Sequence, residues 1–143
     1  MKILVSACLL GVPCRYDGRS VPDERVIRLM GSHVLIPVCP ERLGGLDTPR
    51  TPSERRGYKV ISADGEDRTA AFVKGAKLCR EKALEAGCEL AILKSKSPSC
   101  GCGNIYDGSF SGTLVKGDGI TAEYLKKWGM RVLNEDDPEA EKL

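Results

Sequence analysis

Short apolar runs that alternate with helical patterns constrain this fold more than any other feature of the chain. Three runs are too short to form helices, and they predict buried strands over 2–7, 34–38 and 88–94. Helical patterns over 23–30 and 69–86 separate these runs and carry suitable start and stop residues. Strands that alternate with helices favour a mainly parallel sheet with right-handed crossovers.

The rest of the chain completes this pattern. A third helix is predicted over 121–128, with Thr121 as its cap, and a last strand over 130–133. Residues 59–65 predict a small hairpin with its turn at Asp64-Gly65, while 40–57 and 95–119 are interpreted as long loops. We therefore predict an α/β chain that forms a single domain over 1–143. It should be a Rossmann-like three-layer fold with a hairpin insertion and a frayed acidic tail from Asn134.

Three cysteines lie just beyond the ends of predicted strands: Cys8, Cys39 and Cys100. The carboxyl ends of parallel strands meet at one edge of a sheet, which is where open α/β sheets bind ligands. Three thiolates at this edge could hold a metal ion or an iron–sulfur cluster and leave one coordination position free for chemistry. Their wide separation along the chain excludes a local zinc-finger or ferredoxin motif.

The other cysteines divide into two groups. Cys79 lies on the apolar face of the second helix and Cys88 begins a strand, so both are interpreted as packing residues. Cys14 and Cys102 are open to several interpretations: a fourth ligand, a resolving thiol, a persulfide carrier or a bystander. Arg15 adjoins Cys14 and could stabilise a thiolate there.

Charge and composition exclude several classes of partner. The formal charge of +2, from 22 basic and 20 acidic residues, is too balanced to predict binding to nucleic acid or to an anionic membrane. No apolar run approaches the roughly 20 residues that span a bilayer, and no signal peptide is recognised. We therefore expect a cytoplasmic protein in which at least some of the seven cysteines serve metal binding or catalysis and not disulfide formation. With His33 as the single histidine, an all-thiolate site is favoured.

The segments around these cysteines closely resemble the 2-thiouracil desulfurase family. The resemblance covers essentially the whole chain, and its segments are long and occur in a fixed order. They are Ser-Ala-Cys-Leu-Leu-Gly (6–11), Cys-Arg-Tyr-Asp-Gly (14–18), Cys-Pro-Glu (39–41), Gly-Gly-Leu (44–46), Thr-Pro-Arg (48–50), Ser-Pro-Ser-Cys-Gly (97–101), Tyr-Asp-Gly (106–108) and Phe-Ser-Gly-Thr (110–113).

This resemblance implies a cofactor and a reaction. It implies an oxygen-sensitive 4Fe–4S cluster held by Cys8, Cys39 and Cys100, with no protein ligand on the fourth iron. Members of such a family remove sulfur from a small thiolated pyrimidine without net redox change and release hydrogen sulfide. The chain departs from the family pattern at Asp47, where a proline is expected, and at Cys102, where a serine is common.

The resemblance also directs attention to polar residues near the presumed ligands. Glu41, two residues after Cys39, is predicted to be the general base that deprotonates a water. Ser97 and Ser99 are predicted to donate hydrogen bonds to sulfide or to the edge of the base.

Three charged residues complete the predicted site as substrate-binding residues: Arg15, Asp17 and Arg50. Arg15 and Asp17 are expected to order the first loop through an ion pair with Asp107 or Glu54. For all three substrate-binding residues, the alternative role is to pin loops.

Two other functions remain open at the level of sequence. A dithiol redox or sulfur-relay protein would use the pairs Cys8/Cys14 or Cys100/Cys102 and would act without iron. A structural zinc module would be colourless and would have no activity of its own.

Overall fold

The computed structural model describes residues 1–143 and contains eight strands and five helices. The strands are β1 (Lys2–Ser6), β2 (Val34–Val38), β3 (Ser53–Arg56), β4 (Lys59–Ser62), β5 (Leu90–Leu93), β6 (Asn104–Tyr106), β7 (Leu114–Lys116) and β8 (Arg131–Asn134). The helices are α1 (Glu24–Ile27), α2 (Pro40–Leu43), α3 (Thr69–Ala86), α4 (Ile120–Lys127) and α5 (Pro138–Glu141). Short 3-10 turns cover Ala7–Leu10 and Arg28–Gly31.

A four-stranded sheet in the order β2-β1-β5-β8 forms the centre of the molecule, and all its pairs are parallel. Ile3, Leu4 and Val5 of β1 are fully buried, because β1 is a central strand covered on both faces. One face packs against α1 and α5, and the other against α3 and α4. The predicted α/β fold with a mainly parallel sheet is thus confirmed.

Helix α3 follows the predicted apolar stripe. Phe72, Ala76, Cys79 and Ala83 are all buried along one side, as a 3.6-residue period requires. The helix ends at Gly87, whose φ of 74° is the left-handed conformation that glycine adopts most readily.

Two glycines bring α2 against α3 with no side chain between their backbones. A Cβ added at Gly44 would collide with the carbonyl oxygen of Ala71, and one at Gly75 would collide with that of Pro40. This close approach fixes α2 directly after β2. The short helix lies in the segment interpreted as a loop, and it carries Glu41.

The predicted turn at Asp64-Gly65 is present, but the main ladder of the hairpin lies on the other side of β4. β4 pairs with β3, and the chain reverses at Gly57, which has a φ of 59°. At the predicted turn, Asp64-Gly65, the chain reverses again, but there Asp67 makes only one bridge to Ile61. β3 has the polar sequence Ser-Glu-Arg-Arg, so it shows no apolar alternation that would predict a strand.

The last third of the chain is more ordered than its sequence predicts. β6 and β7 form a second antiparallel hairpin within the segment interpreted as a loop. Helix α4 is capped by Gly119, so Thr121 lies inside the helix, fully buried, and is not the cap. The tail is not frayed, because Ala140 of α5 packs into the core.

Among all the helices, none has the length and apolar character needed to cross a membrane.

Candidate active site

A cavity of about 420 Å³ lies beyond the carboxyl ends of β1, β2 and β5. The chain crosses from β1 to β2 on one side and reaches β5 on the other. This reversal around β1 is the place where open α/β sheets form a crevice. The fold therefore creates a cavity at the edge of the sheet where the sequence predicted that the three strand-end cysteines meet.

Four thiols line this cavity: those of Cys8, Cys14, Cys39 and Cys100. The Cys39 Sγ lies 3.7 Å from the carbonyl oxygen of Cys14, and Cys39 packs against the buried cluster that contains Cys8 and Cys14. The structure thus brings the three predicted ligands to one cavity and adds Cys14 to the same wall.

Burial and mutual contact raise the pKa of three of these thiols, those of Cys14, Cys39 and Cys100, above the usual value. The pKa of Cys39 is raised strongly by its hydrogen bond with Cys14 and by burial. At Cys14 the hydrogen bond with Cys39 lowers the pKa, but contact with Cys8 and burial outweigh it, and the net shift is upward. Burial raises the pKa of Cys100 to about 12, against hydrogen bonds from Ser6 and Ser99. A metal that binds here must therefore displace protons.

The loop that carries Cys100 is held by the start of α4. The backbone N–H groups of Thr121 and Ala122 donate to the carbonyl oxygen of Ser99 at 2.8 and 3.2 Å. A side chain at Gly119 would collide with the backbone of Ser99, so only glycine allows this approach. Hydrogen bonds at the first turn of α4 thus fix the position of the loop.

Glu41 lies at the centre of a hydrogen-bond network that joins distant segments. Its Oε1 accepts from Arg50 Nε at 3.0 Å, and its Oε2 accepts from Ser99 Oγ at 3.2 Å. Ser99 Oγ lies 3.1 Å from Ser97 Oγ. The side chains of Arg50 and Glu41 are only 5% and 15% exposed, so this ion pair is largely shielded from water.

Arg50 connects this network to the cysteine wall. Its Nη2 donates to the carbonyl oxygen of Cys14 at 2.9 Å, and its Nη1 donates to Thr48 Oγ1 and to the carbonyl oxygen of Asp47, both at 3.0 Å. The planar guanidinium thereby holds three backbone or side-chain groups in addition to Glu41.

The predicted role of the first loop is only partly met. Arg15 lines the cavity, with its guanidinium 5.6 Å from the centre of the Tyr16 ring. Asp17 does not line it, and its carboxylate accepts from the backbone N–H of Arg19. The expected ion pair with Asp107 or Glu54 is absent, so that prediction was wrong.

The sequence did not predict a largely buried ion pair beside the cavity, between Lys94 and Glu135. Lys94, which lines the cavity, has its Nζ 3.2 Å from Glu135 Oε2. Glu135 also accepts from the backbone N–H and the hydroxyl of Ser95. Glu135 falls in the segment interpreted as a frayed tail, so nothing in the sequence predicted that its carboxylate lies at the cavity. Only the pairing of β5 with β8 brings it here.

The donor set of the cavity suits a soft metal centre. Thiolate sulfur is the preferred ligand of iron–sulfur clusters, and this wall contains four thiols and no imidazole. No three His, Cys, Asp or Glu side chains converge on the position of a single metal ion. A polynuclear cluster takes each thiolate on a separate iron and so accommodates donors that are spread around a cavity.

Comparison with known proteins gives consistent matches over nearly the whole chain. The family model described as 2-thiouracil desulfurase matches residues 3–137. The uncharacterized protein YbbK of Bacillus subtilis (strain 168) is 41% identical over 145 residues, which cover 94% of this chain and 96% of that protein. The solved structure of the 4Fe-4S-dependent thiouracil desulfidase TudS superposes with a TM-score of 0.88 at 44% identity, covering 96% of this chain and 93% of that one.

Proposed function

Because this chain belongs to the 2-thiouracil desulfurase family, we propose that it hydrolyses the C–S bond of a thiolated pyrimidine such as 2-thiouracil with the aid of a 4Fe–4S cluster. Water replaces sulfur at the ring carbon, and the products are the oxo base and hydrogen sulfide. Both hydrogens of the sulfide come from the water, so the reaction needs no external electron donor or acceptor.

Cys8, Cys39 and Cys100 would hold the cluster. They follow three different strands and line the same cavity, which supports one thiolate on each of three irons. Cys14 is the one other thiol that lines this cavity, so it is the one in a position to take the place of a ligand. When bound, the cluster would supply a Lewis-acidic iron that accepts the thiocarbonyl sulfur and makes the ring carbon more electrophilic.

Glu41 is the residue that carries the proton. Its Oε1 is held by Arg50, which fixes the orientation of the carboxylate. Its Oε2 would accept a proton from the attacking water and return it to the departing sulfur. The two hydroxyls of Ser97 and Ser99 form a chain that leads to this same oxygen, so they would orient the water and relay the proton.

One observation carries this proposal: the Glu41 carboxylate and the four thiols line the same cavity, although they come from segments far apart in the chain. A carboxylate that is held by one arginine and one serine, with a second serine bonded to the first, is positioned for proton transfer, and this supports a catalytic over a purely structural role.

The test is anaerobic purification followed by a direct assay. We expect a brown protein with broad absorbance near 400 nm and about four irons and four sulfides per chain. With 2-thiouracil and no reductant, it should form uracil and hydrogen sulfide in equal amounts. Full activity in iron-free protein would instead support the dithiol relay, and a colourless inactive protein with one zinc per chain would support the structural module.

A further inference from the structure

Two residues other than glycine adopt the left-handed backbone conformation, and both line the cavity. They are Lys96, with a φ of 67°, and Phe110, with a φ of 57°. A bulky residue rarely adopts this conformation, because its Cβ crowds the following carbonyl group. Such residues persist only where the surrounding structure holds them, and they cluster at ligand-binding sites.

Glu54 of β3 holds Phe110 in this conformation. Its Oε1 accepts from the backbone N–H of Gly108 at 3.0 Å and from that of Phe110 at 3.1 Å. Arg56 Nε donates to the carbonyl oxygen of Gly108 at 2.5 Å. These three bonds attach the β6–β7 loop to the neighbouring β3–β4 hairpin, so the place of Phe110 is set by an element that is distant in sequence.

Aromatic side chains are rare in this chain, and three of the seven line this cavity. The sequence contains only two phenylalanines and four tyrosines, and Phe110, Tyr16 and Tyr106 all line the cavity. Phe110 is half-buried, so its ring has apolar surface that a ligand would cover. A planar heterocycle is the ligand that gains most from such a surface, since base–aromatic stacking does not depend on the hydrogen-bonding edge.

We propose that Phe110 is a substrate-binding residue that stacks on the pyrimidine ring, and that Glu54 is a positioning residue that holds it there. The inference rests on the proposed function and deepens it, because it selects a planar aromatic thiocarbonyl compound over an acyclic one. Glu54 does not act on the reacting atoms. Its carboxylate is occupied by two backbone N–H groups of the loop.

The first experiment compares Phe110→Leu and Phe110→Gly in the cluster-loaded enzyme. Both variants remove the ring, and glycine also relieves the backbone strain. We expect each to raise the KM for 2-thiouracil and the Kd for the product uracil by about tenfold, with kcat changed far less. Uracil affinity, measured by saturation-transfer NMR, is a readout independent of turnover. If Phe110→Gly binds uracil as tightly as the wild type, the stacking role is refuted.

The second experiment separates positioning from catalysis at Glu54. Glu54→Ala removes the acceptor of both N–H groups, so we expect the same rise in KM and in the Kd for uracil as in Phe110→Leu. Glu54→Gln keeps an oxygen at the same place and should restore most of the affinity. A large fall in kcat in Glu54→Gln, with little change in KM or in the Kd for uracil, would contradict positioning and assign the charge a direct role.

A double variant and two controls complete the design. Glu54→Ala in the Phe110→Leu background should cause little additional loss, because both changes remove the same contact. Tyr58→Ala alters an aromatic side chain that is 89% exposed, and Glu81→Gln alters an exposed helix carboxylate. Neither control should change the KM or the Kd for uracil. All variants should keep the visible absorbance of the wild type.

Failure of this inference differs from failure of the proposed function. A wild-type enzyme that carries a cluster but does not convert 2-thiouracil would overturn both. A wild-type enzyme that converts 2-thiouracil, while both Phe110 variants retain its KM and its affinity for uracil, would overturn only the stacking role.

Discussion

The guanidinium of Arg50 lies 3.0 Å from Glu41 Oε1, and the same guanidinium donates to the carbonyl oxygen of Cys14. One side chain thus joins the proposed general base to the wall of thiols. Because Arg50 is only 5% exposed, its interactions are shielded from solvent and set the local geometry.

Replacing Glu41 with glutamine should separate proton transfer from cluster binding. Glu41→Gln keeps the shape of the side chain but removes its ability to accept a proton. We expect kcat to fall by about 10²- to 10⁴-fold, while iron content and visible absorbance stay at wild-type values. Steady-state assays with 2-thiouracil and an iron determination check this. Full activity in Glu41→Gln would remove the residue from the proposed mechanism.

Arg50→Lys should lower the activity of the enzyme, although it preserves the positive charge at this position. One ammonium group cannot reproduce the bonds of the guanidinium to Glu41, Thr48 and two carbonyl oxygens. Misplacement of the carboxylate should lower kcat by about 10²-fold. The matched control is Arg131→Lys, since Arg131 makes an exposed ion pair with Glu139 away from the cavity. Equal activity of both variants would show that Arg50 does not position Glu41.

The four cavity cysteines provide a test of the ligand set. Cys8→Ser, Cys39→Ser and Cys100→Ser should each abolish retention of the cluster, as measured by visible absorbance and iron content after anaerobic purification. The control Cys88→Ser should retain it. Cys14→Ser should also retain it. If Cys14→Ser loses the cluster while one of the first three variants retains it, then Cys14 is a ligand and the cysteine replaced in that variant is not.

Gly75→Ala should disturb the site from a distance. The added methyl group would collide with the carbonyl oxygen of Pro40 and push α2, which carries Glu41, away from α3. We expect a loss of about 1–3 kcal/mol in the free energy of unfolding, and a lower kcat. Urea denaturation and the activity assay measure the two effects. Glu85→Ala, on an exposed side of the same helix, should change neither.

Asp23→Ala should reduce the free energy of unfolding without changing the activity of the enzyme. Asp23 caps α1 by accepting from the backbone N–H groups of Arg25 and Val26, and loss of such a cap costs about 0.5–2 kcal/mol. The Arg25 side chain holds the pKa of Asp23 below its usual value. The stabilisation is therefore present above the unfolded pKa of about 4 and is lost only as the pH falls through the lower folded value.

The difference in unfolding free energy between the wild type and Asp23→Ala should therefore be constant between pH 5 and pH 8. Urea denaturation at several pH values measures it. A difference that shrinks already between pH 8 and pH 5 would contradict this assignment.

The elements that the sequence predicted well are those with a strong apolar pattern. β1 and β2 are short apolar runs, and α3 shows its stripe in Phe72, Ala76 and Cys79. The polar strand β3 was missed, because its pairing with β4 depends on the partner strand and on Gly57 and not on its own side chains. Helix α2 was missed because it has only four residues and is held by contact with α3.

By itself, the sequence determined the class of fold and the edge at which the strand-end cysteines meet, because apolar periodicity and strand direction are local properties. Tertiary structure alone decided that Cys14 joins their wall, that Arg50 contacts Glu41, and that Glu54 holds Phe110 at the cavity. These relationships depend on how separate loops approach one another in space. Spacing along a chain does not encode that distance.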